Sequence, residues 1–169
     1  MVERTRNLHR PRIPMALPEN SEICKIPAGW VERCASFDQQ NFGRDAWPEW
    51  VWQQELKATD RSYFGVVCAP QPHQSQGALL AVAGISHGPD AELLTIGVDV
   101  RYRRRGIARE LLEYMLAIPR AHAADRVFLE VRKADAGAQA LYEAFGFEAI
   151  AVRKKYYSDD DAVVMRLEC

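Results

Sequence analysis

The sequence changes from a strand pattern to a helix pattern across Arg103-Arg104-Arg105-Gly106-Ile107-Ala108. An apolar run over residues 93–100 predicts a strand before this turn, and an amphipathic run over residues 107–118 predicts a helix after it. The first N–H groups of a helix lack partners within the helix, and the helix dipole adds partial positive charge at the same end. A strand, a basic turn and a helix in this order can therefore hold a phosphate group.

The residue types in the turn favour an anionic ligand such as a nucleotide pyrophosphate. Gly106 has no side chain, so a phosphate can come close to the backbone. Five arginines supply full positive charge, namely Arg101, Arg103, Arg104, Arg105 and Arg109. A basic face for nucleic acid and a solvated run of charge are the alternatives. The near balance of 22 Lys and Arg against 23 Asp and Glu makes the cluster local and weakens the nucleic-acid interpretation.

The composition indicates one globular domain. The 169 residues are 48% hydrophobic, which is enough for a proper core, and no apolar run approaches the length of a membrane span. The four cysteines are scattered without a Cys-x-x-Cys pair, which predicts free thiols in a reducing cytoplasm and no metal site. Residues 1–20 are basic and interrupted by prolines, so we predict a flexible tail before a single domain over residues 21–169.

Strand and helix patterns alternate along the rest of the chain. Strands are predicted at residues 22–26, 63–69, 78–86, 93–100, 127–131, 148–157 and 162–167. Helices are predicted at residues 30–42, after Pro48, from residue 107 to Pro119, and from a cap at Asp135 to Gly146. This order favours an α/β or α+β fold in which helices cover a sheet.

The turn and the C-terminal half together resemble the GNAT superfamily of acetyl-CoA-dependent N-acetyltransferases. The turn matches its Gln/Arg-x-x-Gly-x-Gly/Ala motif, with Ala108 at the last position. Within the superfamily, residues 93–168 are similar to the RimI subfamily, the ribosomal-protein-alanine N-acetyltransferases, whereas residues 1–88 match loosely. The segments that carry this similarity are Leu129-Glu130-Val131-Arg132, Ala140-Leu141-Tyr142-Glu143, Phe145-Gly146-Phe147, Arg153-Lys154-Lys155-Tyr156-Tyr157 and Asp161-Ala162-Val163-Val164-Met165. The resemblance implies a mixed, mostly antiparallel sheet of about six or seven strands flanked by about four helices.

The resemblance also implies a binding site for acetyl-CoA and no metal. One strand separates from its neighbour in this family, and its unpaired backbone groups bind the pantetheine arm. An asparagine of the family contacts the cofactor where this chain has Asp135, whose negative charge suits a helix cap better than a phosphate contact. The implied cofactor residues are Ile96, Gly97, Val98, Arg103, Arg104, Arg105, Gly106, Ile107, Ala108, Arg109 and Asp135.

The resemblance places the general base on Glu130 and the general acid on Tyr142. Acetyl transfer needs a neutral amine, and a protein N-terminus with a pKa of about 8 is only about one-tenth neutral at pH 7. Glu130 interrupts an apolar strand, where a carboxylate is partly desolvated, but a solvent-facing strand residue or an ion pair with Arg132 is the alternative. An ordinary phenol pKa of about 10 suits proton transfer to a thiolate. On spacing alone, Tyr142 is also compatible with a core aromatic residue.

Two loops are implied to flank the entrance for the acceptor. Phe42 and Trp47 lie in the first, Tyr156 and Tyr157 lie near the second, and ordinary packing is the alternative for each. We interpret the acidic run Asp159-Asp160-Asp161 as a solvated turn, or as an attractor of a cationic N-terminus. The predicted activity is acetyl transfer from acetyl-CoA to a protein N-terminal amine, best fitted by the alanine of a small-subunit ribosomal protein. A small-molecule amine acetyltransferase is the second hypothesis, and a non-catalytic module binding CoA or nucleic acid is the third.

Overall fold

The computed structural model describes residues 17–73 and 75–169, which contain seven strands, four α-helices and three short 3-10 helices. The strands and α-helices are β1 (Ser21–Lys25), α1 (Val31–Phe42), α2 (Glu49–Lys57), β2 (Arg61–Cys68), β3 (Leu79–Ser86), β4 (Asp90–Val98), α3 (Ile107–Ala121), β5 (Arg126–Arg132), α4 (Ala136–Ala144), β6 (Glu148–Arg153) and β7 (Ala162–Glu168). The predicted mixed sheet with flanking helices is confirmed. Most of the predicted tail, residues 1–16, lies outside the described residues.

The strands form one sheet in the order β1-β2-β3-β4-β5-β7-β6. Every neighbouring pair is antiparallel except β4 and β5, which run parallel. The parallel pairing covers only Asp90–Glu92 against Arg126–Phe128. Beyond these residues the two strands diverge, and we call the resulting gap the strand fork.

Helices cover both faces of the sheet. The apolar stripe of α3 packs on one face, and its residues Ile107, Leu111, Leu112, Met115 and Leu116 are at most 1% exposed. A smaller cluster on the other face joins α1 and α2 to the sheet through Cys34, Phe37, Trp52, Tyr63 and Val82. Because side chains alternate along a strand, Val127, Leu129 and Val131 of β5 lie in the α3 core, and Glu130 points to the α1/α2 face.

Several predicted boundaries are wrong by two to four residues, including the start of β2 at Arg61 rather than residue 63 and the end of β4 at Val98 rather than residue 100. Strand β4 begins at Asp90 rather than residue 93, because its first residues pair with β5. Helix α3 continues past Pro119 to Ala121, since the backbone N–H of His122 still donates to Ile118 O. Strand β6 ends at Arg153 rather than residue 157, because Lys155 has a left-handed φ of 53° and turns the chain.

Asp38 is a buried carboxylate on α1 that faces the segment before α2. It is 2% exposed, and its Oδ2 accepts hydrogen bonds from Trp47 N at 3.2 Å and Trp52 Nε1 at 3.1 Å. Its Oδ1 has no hydrogen-bond partner among the described residues. Burial raises the pKa of this carboxyl to about 6, against the lowering effect of the two tryptophan donors.

We expect this carboxyl to make stability depend on pH. The folded state binds its proton more tightly than the unfolded chain, so the associated stability is present below pH 4 and is lost as pH rises through about 6. Between these limits the free energy of unfolding should fall by about 2 kcal/mol relative to the Asp38→Asn variant. Urea unfolding from pH 4 to 7 measures this difference. Parallel curves for the two proteins would contradict the expected ionisation of Asp38.

Candidate active site

The strand fork exposes backbone groups of β4. Because Asp99 N donates to Leu80 O at 2.9 Å, the antiparallel register directs the backbone groups of Gly97 toward β3. Those of Ile96 and Val98 alternate with them and face the fork. Two of the three predicted pantetheine contacts therefore point toward the gap, whereas the Gly97 backbone is used within the sheet.

Gly97 has a different structural role. A Cβ atom at this position would overlap the ring of Phe42, which lies at the end of α1. The missing side chain therefore lets Phe42 cover β4 beside the fork, on the α1/α2 face. Phe42, predicted to be near the acceptor, is thus placed next to the fork.

The arginine turn leaves the N-terminus of α3 open. Gly106 has φ 84° and ψ 0°, Arg104 has φ 62°, and no side chain caps the helix within the described part of the chain. The first helical bond runs from Glu110 N to Gly106 O at 3.2 Å. The N–H groups of Ile107 and Ala108 precede that bond, so they are available to an anion.

The arginines of the turn have different partners. Arg103 donates through Nε to Val98 O at 3.0 Å and through Nη2 to Asn41 O at 3.3 Å, so it joins the turn to β4 and α1. Arg101 forms an ion pair with Asp99 at 2.7 Å. Arg105 and Arg109 lie over aromatic rings, 5.3 Å from the Tyr102 centroid and 5.0 Å from the Phe145 centroid.

Helix α4 begins beside the same turn. The Oδ1 atom of Asp135 accepts a hydrogen bond from Ala138 N at 2.9 Å, which confirms that Asp135 caps the helix. A Cβ atom on Gly137 would lie 3.8 Å from Arg104 Nη1, so the guanidinium group of Arg104 reaches the start of α4. A contact between Asp135 and the cofactor stays a prediction.

Tyr142 is buried on α4. It is 6% exposed, and its ring meets Phe147 edge-on at a centroid distance of 5.9 Å. Burial raises the pKa of its phenol well above the ordinary value, so the expectation of an ordinary phenol pKa is wrong. The hydroxyl therefore stays protonated and can donate a hydrogen bond, but it gives up its proton less readily than the sequence indicates.

Glu130 lies on β5 just beyond the fork. Its side chain is 16% exposed, and its Oε1 accepts a hydrogen bond from Arg153 Nη1 at 2.7 Å. The alternative of an ion pair with Arg132 is wrong, because Arg132 has other partners. Glu130 is thus a partly buried carboxylate that faces the α1/α2 side of the fork.

Arg132 joins the two loops that were predicted to flank the acceptor. It forms ion pairs with Asp45, in the loop between α1 and α2, and with Asp159 at 2.6 Å, in the loop between β6 and β7. Its guanidinium group also lies 4.5 Å from the ring centroid of Tyr157. We call Arg132, Asp45 and Asp159 the Arg132 clasp.

The acidic run holds the β6–β7 loop in place. Asp160 Oδ2 accepts from Ala134 N at 2.9 Å, and Asp161 Oδ1 accepts from Lys155 N at 2.9 Å. Asp159 is 61% exposed although it belongs to the clasp, so the run is a solvated turn whose carboxylates also hold the loop. Its signal in the sequence was a basic run, Arg153-Lys154-Lys155, on one side of the turn and the acidic run on the other.

The predicted acceptor residues lie at separate places. Tyr156 and Tyr157 meet edge-on at 5.1 Å and line a surface cavity of about 490 Å³ formed by residues 155–161. Tyr156 is 47% exposed. Trp47 packs against Trp52 at 5.3 Å, so ordinary packing accounts for its position.

An acyl-CoA-dependent transferase is the class of protein that the strand fork, the open start of α3 and the adjacent carboxylate define. The chain belongs to the acetyltransferase (GNAT) family, whose model matches residues 30–147, and it is an acetyl-CoA-dependent N-acetyltransferase. Among the described residues, no helix is long and apolar enough to cross a membrane.

Within the family, the chain is similar to enzymes that are named as N-terminal acetyltransferases. The chain is 38% identical over 144 residues to the N-alpha-acetyltransferase RimI of Mycobacterium tuberculosis, covering 80% of this chain and 85% of the relative. It is 38% identical over 82 residues to the [ribosomal protein bS18]-alanine N-acetyltransferase of Escherichia coli K12, covering 46% and 55%. The crystal structure of the ribosomal-protein-S18-alanine N-acetyltransferase from Escherichia coli superposes with a TM-score of 0.75 at 26% identity, covering 88% of this chain and 93% of that one.

Proposed function

We propose that this enzyme transfers the acetyl group of acetyl-CoA to the N-terminal α-amine of a protein, with the N-terminal alanine of a small-subunit ribosomal protein as the specific acceptor. The main supporting observation is the Arg132 clasp, which joins two loops beside the partly exposed Tyr156 and Tyr157. A surface bordered by two joined loops suits an extended peptide better than a small amine. Similarity to two enzymes named for N-terminal acetylation supports the same acceptor. We place the reaction in the cytoplasm, where the four free thiols would stay reduced.

The proposed chemistry assigns separate tasks to the two sides of the fork. The backbone of Ile96 and Val98 would hold the pantetheine arm, and the start of α3 would bind the pyrophosphate. Glu130 would accept a proton from the amine, directly or through water, and the neutral amine would attack the thioester carbonyl. The Tyr142 hydroxyl would donate to the departing sulfur.

An acceptor screen tests this proposal. The enzyme is incubated with acetyl-CoA and with matched peptides that begin with Ala, Ser, Met or Gly, alongside small amines such as spermidine, and free thiol release is measured. We expect acetylation of the α-amine, with the Ala peptide preferred. Exclusive acetylation of small amines would support the second hypothesis. Binding of CoA without turnover on any amine would support the non-catalytic module.

Breaking the Arg132 clasp should weaken acceptor binding. In Arg132→Gln, Asp45 and Asp159 lose their shared cation, so the two loops separate and the peptide KM rises by about tenfold. The Kd for acetyl-CoA should stay unchanged, because the turn before α3 is on another part of the fold. Steady-state kinetics and calorimetric titration measure these two constants.

Arg126→Gln is the matched control for the clasp variant. Arg126 lies at the other end of β5 in an exposed ion pair with Asp90 at 3.0 Å, so its loss should leave the peptide KM unchanged. If Arg132→Gln kept the wild-type peptide KM, the clasp would have no part in acceptor binding.

A further inference from the structure

Asn41 joins the end of α1 to the segment between β4 and α3. Its Oδ1 atom accepts a hydrogen bond from Val100 N at 3.0 Å, and its Nδ2 atom donates to Phe37 O at 2.8 Å, one turn back on α1. These two partners fix the orientation of the amide, because an N–H must meet its oxygen and a carbonyl must meet its nitrogen. Asn41 therefore presents a defined acceptor to the backbone that follows β4.

Arg103 forms a second link between the same parts of the fold. It donates through Nη2 to Asn41 O at 3.3 Å and through Nε to Val98 O at 3.0 Å. Asn41 O is one of the last carbonyls of α1, which have no partner within the helix. A guanidinium group at this end also interacts favourably with the helix dipole. We call Asn41, Val100 and Arg103 the α1 joint.

The α1 joint connects the two proposed binding sites. On one side, α1 leads into Phe42 and the loop that carries Asp45 of the Arg132 clasp. On the other side, β4 borders the strand fork, and Arg103 begins the turn before α3. The ring of Phe42 against Gly97 adds an apolar contact across the same boundary. The position of the acceptor relative to the thioester therefore depends on this joint.

We propose that Asn41 and Arg103 are positioning residues that hold the end of α1, and with it the bound acceptor, at the distance from the thioester that acetyl transfer requires. This proposal rests on the proposed acetyl transfer at the strand fork. It gives Arg103 a task other than the phosphate contact implied by the family motif, because its guanidinium group donates to two backbone carbonyls. Asn41 lies outside the motif, and no local pattern pairs it with Val100, 59 positions away.

The kcat of Asn41→Ala tests the proposal. Alanine removes the acceptor of Val100 N without changing any charge, so the amine should still bind but lie out of line with the thioester. We expect kcat to fall by about tenfold, since a displacement of about 1 Å costs up to about 10²-fold. The Kd for acetyl-CoA and the acceptor KM should each change by less than about twofold. Asn41→Asp keeps an oxygen that accepts from Val100 N and should recover most of the lost rate.

A double variant tests whether the two links act in parallel. Asn41→Ala and Arg103→Met each leave one link intact, so their combination should lower kcat by about 100-fold or more, beyond the product of the two single losses. Gln40→Ala is the matched control. Gln40 is the exposed neighbour of Asn41, and its amide donates to Ser36 Oγ of the same helix at 3.4 Å. Its loss should leave kcat at the wild-type value.

Hydrogen exchange measured by NMR tests the link itself without acetyl transfer. The Val100 amide loses its acceptor in Asn41→Ala, so it should exchange about tenfold faster than in the wild type. The kcat values are measured with whichever amine the acceptor screen shows to be acetylated. A failure of peptide N-termini as acceptors therefore stays distinguishable from a failure of the joint.

Three results would overturn the positioning role. One is a wild-type kcat for Asn41→Ala, even with faster exchange at Val100. Another is an equal loss of kcat in Asn41→Ala and Asn41→Asp together with a lower melting temperature, which would limit Asn41 to folding. The third is a double variant whose loss equals the product of the single losses, which would separate Arg103 from the joint.

Discussion

Glu130→Gln should lower kcat by about 100-fold or more while leaving the Kd for acetyl-CoA unchanged. Glutamine keeps the shape of the side chain and an oxygen that can accept from Arg153, but it cannot take a proton from the amine. General-base catalysis is worth about 10²- to 10⁴-fold, which sets the expected size of the loss. Single-turnover kinetics with saturating acetyl-CoA, together with calorimetric titration, measure the two quantities.

Glu148→Gln provides the control for this variant. Glu148 lies on the exposed strand β6 of the same sheet, so the change removes one charge without touching the fork. Its turnover should match the wild type. Wild-type turnover of Glu130→Gln itself would remove Glu130 as the base and leave it as the structural partner of Arg153.

Gly106→Val should weaken acetyl-CoA binding by about 100-fold. Valine is strained at the φ of 84° that Gly106 adopts, and its branched side chain would stand where a phosphate meets the start of α3. The loss of several N–H contacts to an anion accounts for about 2–3 kcal/mol of the expected effect. Calorimetric titration with acetyl-CoA and with CoA measures the affinity.

Gly88→Val is the control that separates a loss of acetyl-CoA binding from the backbone strain that valine causes at a positive φ. Gly88 also has a positive φ, 125°, and a Cβ atom there would meet no other atom within 4 Å, but it lies in the turn between β3 and β4. Both variants should lose about 1–2 kcal/mol of stability, and only Gly106→Val should lose affinity for acetyl-CoA. Equal affinity in Gly106→Val and wild type would contradict the phosphate-binding role of the turn.

Local patterns were sufficient for most elements of the fold. The apolar stripe of α3, the glycine before it and the alternation in β5 each depend on neighbours a few residues away, so they are visible in the sequence. The sequence misplaced an element boundary where pairing with another strand decides it, as at the start of β4. The family motif then placed the turn, Glu130 and Tyr142 within one architecture.

Side-chain partners depended on the tertiary structure, because they come from distant parts of the chain. Arg153 of β6 reaches Glu130, and Arg132 reaches Asp45, a residue 87 positions away. The sequence suggested Arg132 as the partner of Glu130, since it is two positions along the same strand. No local pattern indicates which loop an arginine will reach.

The sequence by itself determined the family, the succession of strands and helices along the chain, and the basic turn before α3. Each of these features depends on residues that are close together in the sequence. Only the tertiary structure decided the Arg132 clasp, the burial that raises the pKa of Tyr142, and the ion pair between Glu130 and Arg153. The physical reason is the strand fork. Strands β4 and β5, which α3 separates in the sequence, meet over three residue pairs and then diverge, and only the folded sheet sets that register.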